Sequence, residues 1–466
     1  MLSILAIDQG THASKAVLYD DRGRKLFQSV LPIAIHHINE VTVEQNAEEI
    51  LLSVQQVIAN VLAHPVVVTA ASLATQRSTL VAWDRETGRA LAPAISWMDR
   101  RCAPWLKSLS KSKHIIQKHT GLLLSPHYLG GKMRWLLDHT LEVKTAHHNQ
   151  TLMLGSLSSF LCFRLLREQA CVIDHSHALR SLLCDLNTLN WHPDLLALFQ
   201  IDATILPRCV PTQSTFGHLY QQSIALNSVC GDQNAALYAR GQLQRHSVVI
   251  NLGSGAFMLH ACGPKPLMHE QLISSIARSQ GAQAEYLLEG TVNGAGLALS
   301  WLQKQYPDID LIAGLPTWLQ TIQSPPCFLN AIGGLGSPWW TELESRFIPS
   351  TELGPVQKAV AIIESIVFLL QHNLSTLVER ELNVIYISGG LSQLDGMCQK
   401  LADLSGLAVL RYEDPEATAR GAAWLVSDNV EEWNDQVKYD TFEPKNNPAL
   451  LDRYRTMTNI LNELKE

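Results

Sequence analysis

What this 466-residue sequence lacks narrows what it can be. It has no block of lysine or arginine, and 36 basic against 43 acidic residues leave a formal charge of −7. Nucleic acid or an anionic membrane surface is therefore not the expected principal partner. The nine cysteines include no CxxC pair, and no His/Cys cluster falls at metal-ligand spacing. That pattern points to reduced thiols in a cytosolic protein and away from a disulfide scaffold. No stretch of about 18 residues is free of charge, histidine and proline, as a membrane span would require. The N-terminal apolar run has no basic segment before it and is interrupted early by Asp8, which makes it a poor secretory signal. A soluble, cytoplasmic protein is expected.

The length suits two domains of a couple of hundred residues, each large enough to bury its own core. The chain opens as a meander: Ser3–Ile7 and Lys15–Tyr19 read as strands, "DDRG" as a turn, and "KLFQSVLPI" as a third strand. From Asn46 the period changes. Ile50, Val54, Val57, Ile58 and Val61 share one helical face, and "PVVVTAASLATQ" returns to a buried strand. Strands alternating with helical crossovers predict an α/β sheet.

The opening "ILAIDQGTHASKAVLYDDRG" puts a carboxylate, Asp8, at the end of a strand that reads as buried, followed by Gly10 and Thr11. A plain hairpin turn would account for it. Far downstream, however, "HSVVINLGSGAFMLHACG" repeats the plan: a β-rich run, Gly253-Ser254-Gly255, and another apolar strand. Two such hairpins suggest two loops facing one ligand, because exposed backbone N–H groups beside a hydroxyl suit phosphate oxygens. A third element, "VIYISGGLSQLDGMCQKLADLSGLAVLR", reads as strand, a Gly389-Gly390 turn, helix and strand. Glycines there allow close approach of a flat ligand or a phosphate, although a tight strand-to-helix turn needs none.

A carboxylate beneath a phosphate-facing turn is badly placed unless a cation intervenes, so Asp8 is read as positioning Mg²⁺ on a nucleotide. Asp232 opens a short helix in "SVCGDQNAALYARG". It is either an N-cap or, facing a cleft, the general base of a phosphoryl transfer. Between the strands of the first half, Gln76, Arg77, Ser78, Trp97, Asp99, Arg100 and Arg101 offer donors, acceptors and an aromatic wall suited to a polyhydroxylated molecule. For Arg100 and Arg101, surface ion pairing is an equal reading.

In order and spacing these residues resemble the FGGY family of carbohydrate kinases, in the actin/sugar-kinase superfamily, and most closely its glycerol kinase branch. The matching motifs span nearly the whole chain: "DQGT" at Asp8–Thr11, "TQR" at Thr75–Arg77, "WMDRR" at Trp97–Arg101, "GLLLSPHYLGGKMRWLLDH" at Gly121–His139, "GDQNAAL" at Gly231–Leu237, "GSGAF" at Gly253–Phe257, "EGTVNGAG" at Glu289–Gly296 and "SGG" at Ser388–Gly390. Together they are far more specific than any one alone.

The resemblance implies two ribonuclease-H-like domains flanking a cleft, residues 1–226 binding the sugar or polyol and 227–466 binding ATP. It implies Asp232 as catalytic base, and Asp8 with Asp232 as the carboxylates associated with Mg²⁺. It places Gly10, Thr11, Ser254 and Gly255 at the phosphates and Gly389 and Gly390 near the adenine. Arg77, Ser78, Trp97, His127, Asp232 and Gln233 fall at substrate-facing positions. Two departures bear on the substrate: Ser78 stands where the glycerol kinase branch has a glutamate, and His127 where it has a tyrosine. Losing a carboxylate that accepts from substrate hydroxyls should redirect recognition. His12 also replaces a small hydroxyl residue common in the first phosphate turn. The expected activity is ATP- and Mg²⁺-dependent phosphorylation of a hydroxyl on a small polyol or sugar, by a chain compatible with a homodimer. The alternative is a superfamily ATPase or nucleotide-binding protein without sugar kinase activity. No peptide-binding domain remains for a chaperone, and Asp232 argues against a dead kinase.

Overall fold

The computed structural model describes residues 2–220, 223–349, 353–377, 381–412, 416–427, 433 and 438–463. Thirteen strands form one sheet, and in chain order they are β1 (Leu2–Gln9), β2 (Ala13–Asp20), β3 (Lys25–Pro32), β4 (Val67–Thr75), β5 (Gln213–His218), β6 (Ala225–Gly231) and β7 (Ser247–Leu252). The others are β8 (Ala256–Gly263), β9 (Ile273–Gln280), β10 (Gln283–Val292), β11 (Val384–Ser388), β12 (Ala408–Tyr412) and β13 (Tyr439–Phe442).

The sheet contains the same pattern twice. In the first half the order is β3-β2-β1-β4-β6, with the first three strands antiparallel and β1, β4 and β6 parallel. In the second it is β10-β8-β7-β11-β12, again antiparallel on one side and parallel on the other. The halves join through β5 and β9, whose ladder contains the single pair Gln213↔Gln280. The duplicated hairpin in the sequence is thus a duplicated sheet.

Parallel pairs need crossovers, and helices supply them. Helix α1 (Ala47–Leu62) starts where the Asn46 side chain accepts from the N–H groups of Glu48 and Glu49, which leaves two acidic residues in its first turn. Its Ile50, Leu51, Val54, Val57, Ile58 and Val61 are buried with Leu5, Ile7 and Leu18 of β1 and β2. The short helix that Asp232 opens is α2 (Asp232–Ala236). In the second half, α3 (Pro355–Ser375) packs over the sheet with Ile362, Ile363, Ile366 and Val367 buried beside Ile385 and Ile387 of β11. Helix α4 (Ala417–Trp424) crosses α2 so closely that a Cβ at Gly421 would lie 1.8 Å from the Ala235 carbonyl oxygen. No helix among the described residues is long and apolar enough to cross a membrane.

Candidate functional site

In parallel sheets ligands gather at the carboxyl ends of the strands, where backbone N–H groups and helix N-termini point outward. The register brings the sequence candidates there. Gln9 of β1 and Gly231 of β6 both lie opposite Thr75 of β4. Asp8, the Gln76-Arg77 pair and Asp232 therefore emerge side by side. In the other half Asn251 of β7 pairs with Ser388 of β11, which puts Gly253–Gly255 beside Gly389-Gly390. Arg77 links the two sets, with its guanidinium 5.9 Å from the Phe257 ring centroid and its Nη1 3.3 Å from Glu289 Oε1.

Both turns are held by backbone bonds. Gly10 N–H donates to the Ala13 carbonyl at 3.0 Å, and Gly253 N–H to that of Gly255 at 2.9 Å. The Ser254 carbonyl accepts from Ala295 and Leu297, which ties the second turn to the "EGTVNGAG" segment. At Gly389 φ is +95°, and a Cβ would lie 2.4 Å from the Leu252 carbonyl oxygen, so only glycine fits. Nothing lies within 4 Å of a Cβ at Gly390, leaving room beside that turn.

The two carboxylates are short of counter-charge. Burial, together with repulsion from Asp232 and Glu416, pushes the Asp8 carboxyl up to about 7 against the pull of Lys15, whose Nζ is 4.0 Å away. Lys15 itself bonds Glu416 at 2.8 Å. Burial also raises Asp232, opposed by Arg77, the Gln233 N–H, His177 and Arg180. Asp232 does not cap its helix: the N-cap is Gly231, and no side chain bonds there. Its Oδ1 accepts from the Gln233 N–H at 2.7 Å, while Oδ2 has no hydrogen bond to a described residue. Gln233 Oε1 is buried without a partner among the described residues. Buried acceptors left unpaired are costly unless a ligand completes them. Two neighbouring carboxylates, the buried Asp8 and the half-buried Asp232 that raises it, fit a divalent cation.

Around Asp232 lies an ion cluster absent from the sequence expectations. Glu289 on β10 receives both Arg77 and Arg180. Burial alone would raise its carboxyl, but the two guanidiniums overcome that and hold it down to about 2. Tyr128 hydrogen-bonds Arg180 in the same cluster. Ser78 is buried and has φ +63°, a left-handed conformation uncommon outside glycine and typical of constrained functional loops. The Trp97 indole N–H donates to Thr11 Oγ1 at 3.0 Å, joining the aromatic wall to the first turn. Burial drives His127 down to about 4, so its ring is neutral, with Nδ1–H donating to the Trp97 carbonyl at 3.1 Å.

Lys132 unites these pieces. It is fully buried, and its ammonium donates to the carbonyls of Ser78 (2.9 Å), Ser96 (2.8 Å) and His127 (2.8 Å). Burial pulls its pKa down to about 7, while three carbonyls that need three N–H donors favour the charged form. Other candidates turn out to be scaffolding. Asp99 is fully buried, bound to Arg101 and to the Val43 N–H, and Arg101 also reaches Glu44. Gln76 donates to Gln9 and Gln45, and Gln45 in turn donates to the Thr11 carbonyl, an amide network behind the first turn. Lys132 and Glu289 both fell within motifs singled out in the sequence, but their partners are distant, 54 residues away for Lys132–Ser78 and 212 for Arg77–Glu289.

Known proteins share this arrangement of elements. The family models for the N-terminal and C-terminal domains of the FGGY family of carbohydrate kinases match residues 3–230 and 248–427. The glycerol kinase of Acinetobacter baylyi is 32% identical over 96% of this chain and 95% of its own length. That of Limosilactobacillus reuteri is 30% identical over 97% and 96%. Among solved structures, Plasmodium falciparum glycerol kinase with ADP superposes with a TM-score of 0.88 at 24% identity, covering 100% of this chain and 98% of that one. A ligand-bound xylulose kinase from Lactobacillus acidophilus gives 0.85 at 20% identity, with the same coverage.

Proposed function

The chain belongs to the FGGY family of carbohydrate kinases, and on that premise we propose how its residues divide the work of moving a phosphoryl group from ATP to a hydroxyl of a small polyol or sugar. Asp232 acts as general base. Its unbonded Oδ2 takes the proton of the acceptor hydroxyl, that oxygen bonds to the γ-phosphorus, and the bond from the γ-phosphorus to the β–γ bridging oxygen breaks to release ADP. A raised carboxyl is the better base near neutral pH, and Arg77, His177 and Arg180 keep it from being permanently protonated.

Asp8 and Asp232 would hold Mg²⁺, which when bound neutralises phosphate charge. Gly10, Thr11, Ser254 and Gly255 offer N–H groups and hydroxyls to the phosphates, and the open space at Gly390, beside Gly389, receives the adenine. Arg77, Ser78, Trp97, His127 and Gln233 line the acceptor side. Arg77 is partly neutralised by Glu289, so the pocket holds a buried carboxylate from the second half although position 78 lacks one. The domains, expected to divide at 226/227, meet in our reading just beyond β6, because that strand's parallel ladder is with β4 of the first half.

The observation that carries this reading is Asp232 itself, a half-buried carboxylate at a strand end, with one oxygen free of hydrogen bonds to described residues, beside Asp8 and two glycine-hydroxyl turns. The test is ADP release from ATP with and without a panel of glycerol, tetritols, pentitols and ketopentoses. Release should depend on the acceptor and fall roughly a hundredfold or more in Asp232→Asn, with nucleotide affinity kept. Release that no acceptor stimulates would favour the ATPase reading, and near-normal turnover in the variant would remove Asp232 as base.

A further inference from the structure

Outside the cleft, a second group of side chains has the composition of a metal site, although no sequence spacing announced it. The helix Lys113–Thr120 carries His119 in its last turn. The segment from Leu183 to His192 folds back on itself, with Asp185 N–H donating to the Asn190 carbonyl and His192 N–H to that of Leu183. Leu186 N–H donates to the His119 carbonyl at 2.7 Å, which fixes this loop against the helix end. The result is that one donor atom from each of His119, Asp185 and His192 lies within 4.8 Å of the others.

The details favour a cation over a simple structural contact. Asp185 Oδ1 is oriented by the N–H groups of Asn187 (2.9 Å) and Thr188 (2.8 Å), while Oδ2 accepts His119 Nδ1–H at 2.9 Å. The two imidazole rings lie 4.0 Å apart. A structural aspartate–histidine bond explains His119, but not His192, whose Nδ1 is buried with no hydrogen-bond partner among the described residues. We propose that His119, Asp185 and His192 form a binding site for a late first-row divalent cation such as Zn²⁺, separate from the carboxylates of the nucleotide cleft.

Two nitrogens and one carboxylate oxygen suit Zn²⁺ and disfavour Mg²⁺, which prefers oxygen ligands. Metal–ligand bonds of about 2.0–2.1 Å place tetrahedral donors about 3.4 Å apart, so side-chain rotations of roughly an ångström close the site. His119 and His192 are both partly exposed, which gives the ion an entry path and leaves the fourth position to water. The site also borders the seam between the halves. The Leu186 carbonyl accepts from Tyr286 Oη, and the Gly121 carbonyl from Ser274 N–H. A bound cation would brace that seam.

The experiment titrates the full, chelator-treated chain with Zn²⁺, and with Co²⁺ as a visible probe, in the absence of nucleotide. One saturable equivalent is expected, with Co²⁺ developing the absorption of a low-coordinate nitrogen/oxygen site and Zn²⁺ raising the melting temperature. His119→Gln, Asp185→Asn and His192→Gln should each weaken binding at least about tenfold, while Asp8→Asn leaves it intact. In the unsubstituted protein, Zn²⁺ should protect His119 and His192 from acylation, mapped by mass spectrometry, so the proposal can be tested even if a variant fails to fold. Absence of saturable binding, loss of binding in Asp8→Asn, or unprotected histidines at saturating Zn²⁺ would overturn it.

Discussion

Asp8→Asn should make this protein more stable and less useful. The Asp8 carboxyl lies at about 7 in the folded chain against 3.8 ordinarily. At about 1.4 kcal/mol per unit, ionising it costs the native state at most about 4 kcal/mol. The direction follows from proton counts. Between these two values the folded state holds more protons than the unfolded one, so stability falls as pH rises through the window and the penalty is complete above it. At pH 5 about 1.5 kcal/mol of it has accrued, so the advantage of Asp8→Asn should grow by about 2–3 kcal/mol between pH 5 and pH 8.5. Urea unfolding of both proteins at the two pH values, without nucleotide or divalent cation, measures this. Adding Mg²⁺ and nucleotide should restore stability to the wild type more than to the variant, and the variant should lose acceptor-dependent turnover. A variant no more stable than wild type at pH 8.5 would refute the claim that Asp8 is a carboxylate waiting for a cation.

Glycerol should be a poor acceptor, with kcat/KM at least about tenfold below that of a longer polyol or ketose, equivalent to about 1.4 kcal/mol, because Ser78 cannot accept as glutamate does. Ser78→Glu should shift the preference back toward glycerol; wild-type competition assays won by glycerol would sink this reasoning. Lys132→Met leaves three buried carbonyls without their donor and should cost at least about 3 kcal/mol in denaturant unfolding, at about 1–3 kcal/mol each, and raise KM for the acceptor. An unchanged midpoint would show that the ammonium contributes little. A nucleotide-bound structure should find Thr11 and Ser254 both within hydrogen-bonding reach of the phosphates, and either loop turned away would break the argument from duplication.

The repeated hairpins, the apolar face of α1, and the placing of Asp8, Gly253–Gly255 and Gly389 at strand ends were all legible in the sequence. Those features are local: periodicity, glycine at a forced backbone angle and a carboxylate after an apolar run are written in neighbouring residues. Asp232 was legible as a candidate with two readings, and the fold removes the N-cap reading by placing the helix cap on Gly231. The tertiary structure alone decided which charges meet. Arg180 and Arg77 reach Glu289 across 109 and 212 residues, Lys132 gathers carbonyls from three segments, and His119 finds Asp185 and His192 only because a loop folds back onto a helix end. It also placed Asp99 and Gln76, offered by the sequence as substrate grips, in internal hydrogen-bond networks, and gave Arg101 the ion pairing that was its equal reading. The physical reason is that a side chain's chemistry depends on its solvation and on the charges packed against it, and both are set by contacts between residues far apart in the chain.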